Sequence, residues 1–168
     1  MKQQRLKIYN LLMWVLPIML KAQVITYSFT NAGTVGQNGP TQAQINAAYL
    51  TTNLNGSVTV LTGSLAGIQQ FTIPVTGPYR IVAAGSPAGP GVGLVTYSNG
   101  CRGRIVQGDV FLTAGTVLKI LVGQRGSTAY TSTGGGGGSY VATISNSCLI
   151  VGGGGGGYCS LLSSPTPS

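Results

Sequence analysis

The sequence has almost no acidic residues: one Asp, no Glu and no His occur among its 168 residues. General acid–base catalysis uses paired carboxylates, a His, or a Lys or Tyr with a shifted pKa. Asp109 has no acidic partner anywhere in the sequence. Because Ser–His–Asp and Cys–His arrangements both need a His, they are excluded as well. The composition therefore predicts a protein that is not an enzyme.

Metal-ligating residues are equally scarce. A zinc site uses about four Cys or His ligands, whereas this chain has three Cys and no His. Sites for Ca²⁺ use several carboxylates, which a single Asp cannot supply. We therefore expect neither a bound metal nor another cofactor.

Residues 1–22 have the features of a signal peptide. Three basic residues precede an apolar run over residues 8–20, and Lys21 and Ala22 follow it. An uncleaved membrane anchor is the alternative, but the run is interrupted by Pro17 and is shorter than the ~20 residues that span a bilayer. We predict cleavage after Ala22 and a secreted, extracellular product without a membrane span.

The basic residues that remain after cleavage do not form a nucleic-acid-binding stripe, so no nucleic-acid partner is expected. Five basic residues then face one acid, which lowers the net charge from +8 to +4. Arg102 and Arg104 fall on one face of a predicted strand and, with Arg80 or Arg125, form a candidate anion-binding patch; the alternative is a solvated charged face. Asp109 is expected to pair with one of these arginines or to cap a turn.

The three cysteines allow at most one internal disulfide in an oxidising compartment. Cys148 and Cys159 bracket the second glycine run, and a bridge between them would contribute about 2–3 kcal/mol. A bridge from Cys101 to either of them, or no bridge at all, is equally compatible with the sequence.

Two runs of pure glycine are the most informative feature of the chain. The first precedes an apolar segment at 139–144 and the second follows one at 148–151. Such runs are either flexible linkers or ordered structure, and the short stretch between them is too small to be a domain. This favours an ordered role in which backbones pack too closely for side chains. The runs consist of Gly134, Gly135, Gly136, Gly137 and Gly138, and of Gly152, Gly153, Gly154, Gly155, Gly156 and Gly157.

Residues 23–160 are predicted to form one all-β domain, followed by a disordered tail over 161–168. Turn residues recur at the spacing typical of a sandwich or barrel. We expect hairpins over 71–84 and 109–122, and one short helix over 41–49. Strands are predicted at 58–61, 69–75, 79–84, 93–97, 104–112, 117–122, 140–144 and 148–151.

A resemblance to a known family rests on three parts of the sequence. They are residues 109–124, the first glycine run with Ser139-Tyr140-Val141, and Leu149-Ile150-Val151 with the second run. In this order they resemble the glycine-rich extracellular domain of the anaplastic lymphoma kinase and leukocyte tyrosine kinase family, and the match covers roughly residues 25–158. The resemblance implies a jelly-roll sandwich like that of tumour necrosis factor, with inserted polyglycine helices of three residues per turn. It also implies binding of a protein ligand outside the cell.

The chain departs from this family after the second glycine run, where the family domain continues with closing strands and this sequence reaches residue 168. The jelly roll is therefore expected to be incomplete, and open strand edges favour a homo-oligomer. The leading hypothesis is a secreted, non-catalytic module for extracellular binding or for matrix or adhesive structure. The alternative is a truncated ectodomain fragment of a larger receptor-like protein that binds a protein ligand.

Overall fold

The computed structural model describes residues 24–35, 37–90, 100–128 and 132–157. Within these ranges the chain is mostly β-structure with one short α-helix, so the predicted all-β class is confirmed. The strand predicted at 93–97 lies outside the described residues. The elements are α1 (Gln42–Tyr49), β1 (Val58–Val60), a 3-10 turn (Gly63–Leu65), β2 (Gln69–Thr72), β3 (Gly77–Ala84), β4 (Ile105–Leu112), β5 (Val117–Leu121), β6 (Ser139–Thr143) and β7 (Cys148–Gly152).

The strands form two antiparallel sheets. Five strands make the larger sheet, in the order β1-β2-β5-β6-β7, and β3 and β4 pair with each other in a two-stranded sheet. The β3–β4 register runs from Gly77 opposite Leu112 to Ala84 opposite Ile105. Side chains from both sheets meet in one buried cluster, which includes Ala83 and Leu112 from the small sheet and Val141 and Ile150 from the large one.

The two hairpins predicted over 71–84 and 109–122 are wrong, because each pair of strands is divided between the two sheets. The Ile73 backbone still pairs with the large sheet, since its N–H donates to the Thr116 carbonyl at 2.8 Å. Pro74 comes next and has no N–H to continue the ladder. Two connections carry the chain between the sheets, one from β2 to β3 and one from β4 to β5. They lie side by side and are joined by a 2.9 Å hydrogen bond from the Ala114 N–H to Thr76 Oγ1.

The predicted helix forms over Gln42–Tyr49 and begins with a capping box. Thr41 is the N-cap: its Oγ1 accepts from the Gln44 N–H at 3.4 Å, and Gln44 Oε1 accepts from the Thr41 N–H at 2.8 Å. Pro40 therefore precedes the N-cap. The Gln42 amide covers the open edge of β1, accepting from the Val60 N–H at 2.7 Å and donating to the Val58 carbonyl at 3.0 Å.

One polar network is buried beneath the helix. Gln69 is fully buried, and its Oε1 accepts a 2.7 Å hydrogen bond from the Tyr49 hydroxyl. The same hydroxyl accepts from the Thr30 N–H at 2.8 Å, while Gln69 Nε2 donates to the Thr30 carbonyl at 2.7 Å. Because each buried polar atom has a partner, the network attaches the N-terminal segment and α1 to strand β2.

Candidate functional site

The glycine-rich segments gather at one end of the two sheets. They follow β3, β5 and β7 and precede β4 and β6, and the antiparallel registers bring these strand ends together. We call this region the glycine layer and define it as residues 85–90, 100–104, 123–128, 133–138 and 153–157. Its segments carry neither helix nor strand, and backbone hydrogen bonds join them.

Backbones in the glycine layer approach too closely for side chains. An ideal Cβ atom built on Gly154 would lie 1.9 Å from the Gly136 carbonyl oxygen, and one on Gly155 would lie 1.8 Å from the Cys101 carbonyl oxygen. Real Cβ atoms are not found below 3.0 Å from such groups. At six further glycines outside the two runs, a Cβ atom would lie within 2.3 Å of a carbonyl oxygen: Gly85, Gly89, Gly100, Gly103, Gly123 and Gly126.

The runs do not use glycine for its left-handed conformations. Among the described glycines, a positive φ occurs at Gly33, Gly56, Gly63, Gly67 and Gly115, and these all lie outside the glycine layer. The missing Cβ atom, and not backbone permissiveness, is therefore the property that the layer requires of its closely packed glycines.

Close contacts within the second run repeat every three residues. Cβ atoms built on Gly153 and Gly156 would meet nothing within 4 Å, whereas the glycines at 154 and 155 between them are tightly enclosed. The same spacing separates the enclosed pairs Gly100 and Gly103, and Gly123 and Gly126. A repeat of three differs from the period of two that a β-strand gives.

Three segments of the layer hydrogen-bond to one another in a closed triangle. The Gly136 N–H donates to the Gly155 carbonyl at 2.8 Å, the Gly155 N–H to the Ser86 carbonyl at 2.9 Å, and the Ser86 N–H to the Gly137 carbonyl at 2.9 Å. Strands of one sheet lie in a row, so three of them cannot all be neighbours of one another. The segments therefore pack as a bundle and not as a sheet.

Ser139 joins the glycine layer to the strands. It is buried, and its hydroxyl donates to the Ala84 carbonyl at 2.7 Å while accepting from the Gly123 N–H at 3.0 Å. One side chain thus links the end of β3, the start of β6 and the segment after β5. No linking role for Ser139 was predicted from the sequence, although its position directly after a glycine run was a usable signal.

A hollow of about 340 Å³ opens where the glycine layer meets the two-stranded sheet. Two arginines, Arg102 and Arg125, contribute to its lining, and both residues are exposed. Arg104 does not line the hollow; its backbone N–H donates to the Gly153 carbonyl at 2.7 Å. Residues 100–104 precede β4, so the strand alternation that predicted a shared face for Arg102 and Arg104 does not apply to them. The rest of the lining is Ala84, Gly85, Pro87, Gly103 and Ile105. We call this feature the basic hollow.

Asp109 pairs with Arg80, one of the arginines expected from the sequence. Two parallel hydrogen bonds join the side chains, from Arg80 Nε to Oδ1 and from Nη2 to Oδ2, each 2.8 Å long. The hydrogen bond from Arg80 lowers the pKa of Asp109, and the same bond raises the pKa of Arg80. The pair lies on the exposed face of the two-stranded sheet, where residues 80 and 109 are opposite each other.

Two of the three cysteines lie among the described residues, and both Cys101 and Cys148 are free and exposed. Cys148 is the first residue of β7. Cys159 lies outside the described residues, so a Cys148–Cys159 disulfide stays a prediction.

Neither a cluster of metal ligands nor a membrane-spanning helix is found in the part of the chain that the structure describes. No group of three or more His, Cys, Asp or Glu side chains there could hold a metal ion. None of the helices in these ranges has the length and apolar character needed to cross a bilayer.

These features define a two-sheet β-protein with a bundle of closely packed backbone at one end. No protein-family model matches the chain. The sequence is similar to that of the leukocyte tyrosine kinase receptor of Mus musculus, with 37% identity over 102 residues. The aligned stretch is 60% of this chain and 11% of the receptor, so the chain spans a small part of that relative's length. The expected relationship to this receptor is thereby confirmed over part of the chain.

Proposed function

We propose that this chain is a secreted, non-catalytic glycine-rich module that binds an extracellular protein or matrix component. The similarity to a receptor over 60% of the chain is the observation that carries the proposal. The absence of catalysis rests on chemistry: the sequence has no His, and its single acid is engaged with Arg80. An ion-paired carboxylate with a lowered pKa is a poor general base or acid near neutral pH.

We further propose that the architecture is a jelly roll like that of tumour necrosis factor, with the glycine layer inserted as polyglycine helices. The repeat of three between Gly153 and Gly156 matches three residues per turn. The triangle of hydrogen bonds among the segments at Ser86, Gly136 and Gly155 supports a bundle of such helices. In this arrangement the layer is a rigid platform at one end of the sheets.

The basic hollow is the proposed contact point with the partner. Two arginines at one depression suit a carboxylate, sulfate or phosphate group, because guanidinium donors match planar or tetrahedral oxyanions. We expect Arg102→Gln to weaken binding of a sulfated polysaccharide or of polyglutamate, used as probes. Arg104→Gln removes the same charge outside the hollow and is the matched control. Equal losses of binding in both variants would mean that the probes respond to the net charge of the protein and not to the hollow.

Secretion is tested by producing the chain with its own N-terminus and a C-terminal tag in a secretory host. We expect tagged protein in the medium whose first residue is Gln23. Retention in the cell with Met1 intact would contradict the proposed signal peptide and the extracellular location together.

The alternative, an ectodomain segment of a larger receptor-like protein, is favoured by the coverage of 11% of the mouse receptor. It would bind a protein ligand through the same surfaces. A transcript whose reading frame continues past Ser168 into a membrane-spanning segment would decide for this alternative. A stop codon after Ser168 in the mature transcript would decide for the secreted module.

A further inference from the structure

Strand β4 presents an open edge that is complementary to itself. In the part of the chain that the structure describes, β4 pairs with β3 and with no second strand. Its sequence, Ile105–Leu112, reads IVQGDVFL. Around Gly108 the residue types mirror one another: a polar residue on each side, then a Val, then a large apolar residue. We propose that two copies of the chain associate by antiparallel pairing of β4 with β4, with the two-fold axis at Gly108.

The backbone groups needed for this pairing point away from β3. The Gly85 N–H donates to the Arg104 carbonyl at 3.0 Å, which extends the β3–β4 register and fixes which pairs exchange hydrogen bonds. Antiparallel ladders alternate with a period of two, so Val106 and Gly108 direct their backbone groups to β3. The outward groups belong to Ile105, Gln107, Asp109 and Phe111. Two copies can therefore form about eight backbone hydrogen bonds along this edge.

The side chains match in this register and in neither neighbouring one. Pairing at Gly108 places Ile105 opposite Phe111 of the second copy and Gln107 opposite its Asp109, where the amide can donate to the carboxylate. A shift by two residues in one direction sets two Asp109 carboxylates opposite each other. A shift in the other direction sets Ile105 opposite Asp109. Like charges and apolar–charged pairs directly across strands are unfavourable, so the self-complementary register is selected.

Exposure of the apolar residues supports the same surface. Ile105 is 67% exposed and Phe111 is 69% exposed, on the same outer face of the sheet. Large apolar side chains at both ends of an open edge strand are an association surface unless something covers them. Pairing would bring them together twice per dimer, and it would turn two marginal two-stranded sheets into one of four strands.

The opposite edge, on β3, is a poorer partner. Along β3, the residues that direct their backbone groups away from β4 alternate with the residues that are bonded to β4. Pro78 is one of those that point away. Proline has no N–H to donate and is one of the devices that protect sheet edges from pairing. This asymmetry directs association to β4 and limits it to a closed dimer.

The test measures the molar mass of the full secreted chain by light scattering across a concentration series, with a reductant present so that exposed cysteines cannot link copies. We expect a concentration-dependent dimer for the native chain. Ile105→Lys with Phe111→Lys sets a lysine opposite a lysine at both ends and should give a monomer. Val82→Lys, at a 57% exposed position on the same face of β3, is the control and should leave the dimer intact.

A charge swap tests the register itself. Ile105→Glu with Phe111→Lys places an introduced carboxylate opposite an introduced ammonium of the second copy, and the dimer should return and weaken with added salt. All these positions are exposed, and circular dichroism confirms that each variant is folded. A native chain that stays monomeric, or a dimer that survives the double lysine variant, would overturn the proposal.

Discussion

Gly154 lies so close to Gly136 that an ideal Cβ atom built on Gly154 would stand 1.9 Å from the Gly136 carbonyl oxygen. The two residues belong to different glycine runs, which are separated in sequence by strands β6 and β7. Because backbone contacts backbone here, alanine cannot be accommodated by rotating a side chain. The contact makes each run a structural partner of the other, and it supports an ordered role over that of a linker.

Ser139→Ala is expected to destabilise the fold by about 1–3 kcal/mol, because the partly buried Gly123 N–H loses the acceptor that buried Ser139 provides. The Ala84 carbonyl loses a donor in the same variant. Chemical denaturation measures the change. Ser57→Ala, at an exposed turn position, is the control and should change the free energy of unfolding by less than about 0.5 kcal/mol. Similar values for both variants would contradict the role assigned to Ser139.

Tyr49→Phe is expected to cost about 1–3 kcal/mol, since the hydroxyl both donates to buried Gln69 and accepts from the Thr30 N–H. Tyr140→Phe, with its residue 44% exposed, is the matched control and should be nearly neutral. A double-mutant cycle with Gln69→Leu should show coupling between positions 49 and 69. Strict additivity would contradict a shared buried network.

Stability should be nearly independent of pH between about pH 5 and pH 7, because the sequence has one side-chain carboxyl and no His. Arg80 lowers the pKa of Asp109, so the folded chain binds this proton less readily than the unfolded chain. The stability from the pair is therefore present above the ordinary Asp pKa of about 4 and is lost as the pH falls through the lower folded value.

Thermal unfolding of the native chain and of Asp109→Asn between about pH 2 and pH 7 checks this expectation. The unfolding temperature of the native chain should fall only below about pH 4 and should approach that of the variant. The unfolding temperature of the variant should not change with pH. A marked loss of stability between pH 5 and pH 7, or an identical acid decline in the variant, would contradict it.

The positions of the strands could be predicted from the sequence better than their partners. Runs of β-branched and apolar residues between turn residues located β1 to β7, and helix α1 was found as well. The segments before Gly77 and after Leu112 have the composition of hairpin turns, yet both carry the chain from one sheet to the other. Local pattern cannot distinguish these two connections, since both reverse the chain within a few turn residues. The pairing depends on contacts distant in sequence.

In the candidate site, the two glycine runs could be recognised from the sequence, but the other segments of the glycine layer could not. The tight contacts at Gly100 and Gly103, and at Gly123 and Gly126, come from glycines three residues apart with other residues between them. That spacing is a usable signal once a period of three is sought. Arg125 was one of two arginines that the sequence offered as a partner of Arg102, the other being Arg80. Spacing could not choose between them, because Arg102 and Arg125 lie on different segments of the glycine layer.

The most direct test of the central claim compares Gly154→Ala with Gly153→Ala by thermal unfolding of the chain. The residues are adjacent and chemically identical, but one Cβ would meet a backbone oxygen at 1.9 Å and the other would meet nothing within 4 Å. We predict that Gly154→Ala loses about 1–3 kcal/mol or more through overpacking, whereas Gly153→Ala is neutral or gains about 0.4–1 kcal/mol by restricting the unfolded chain. Equal, small effects of the two substitutions would mean that the glycine runs are not packed as described.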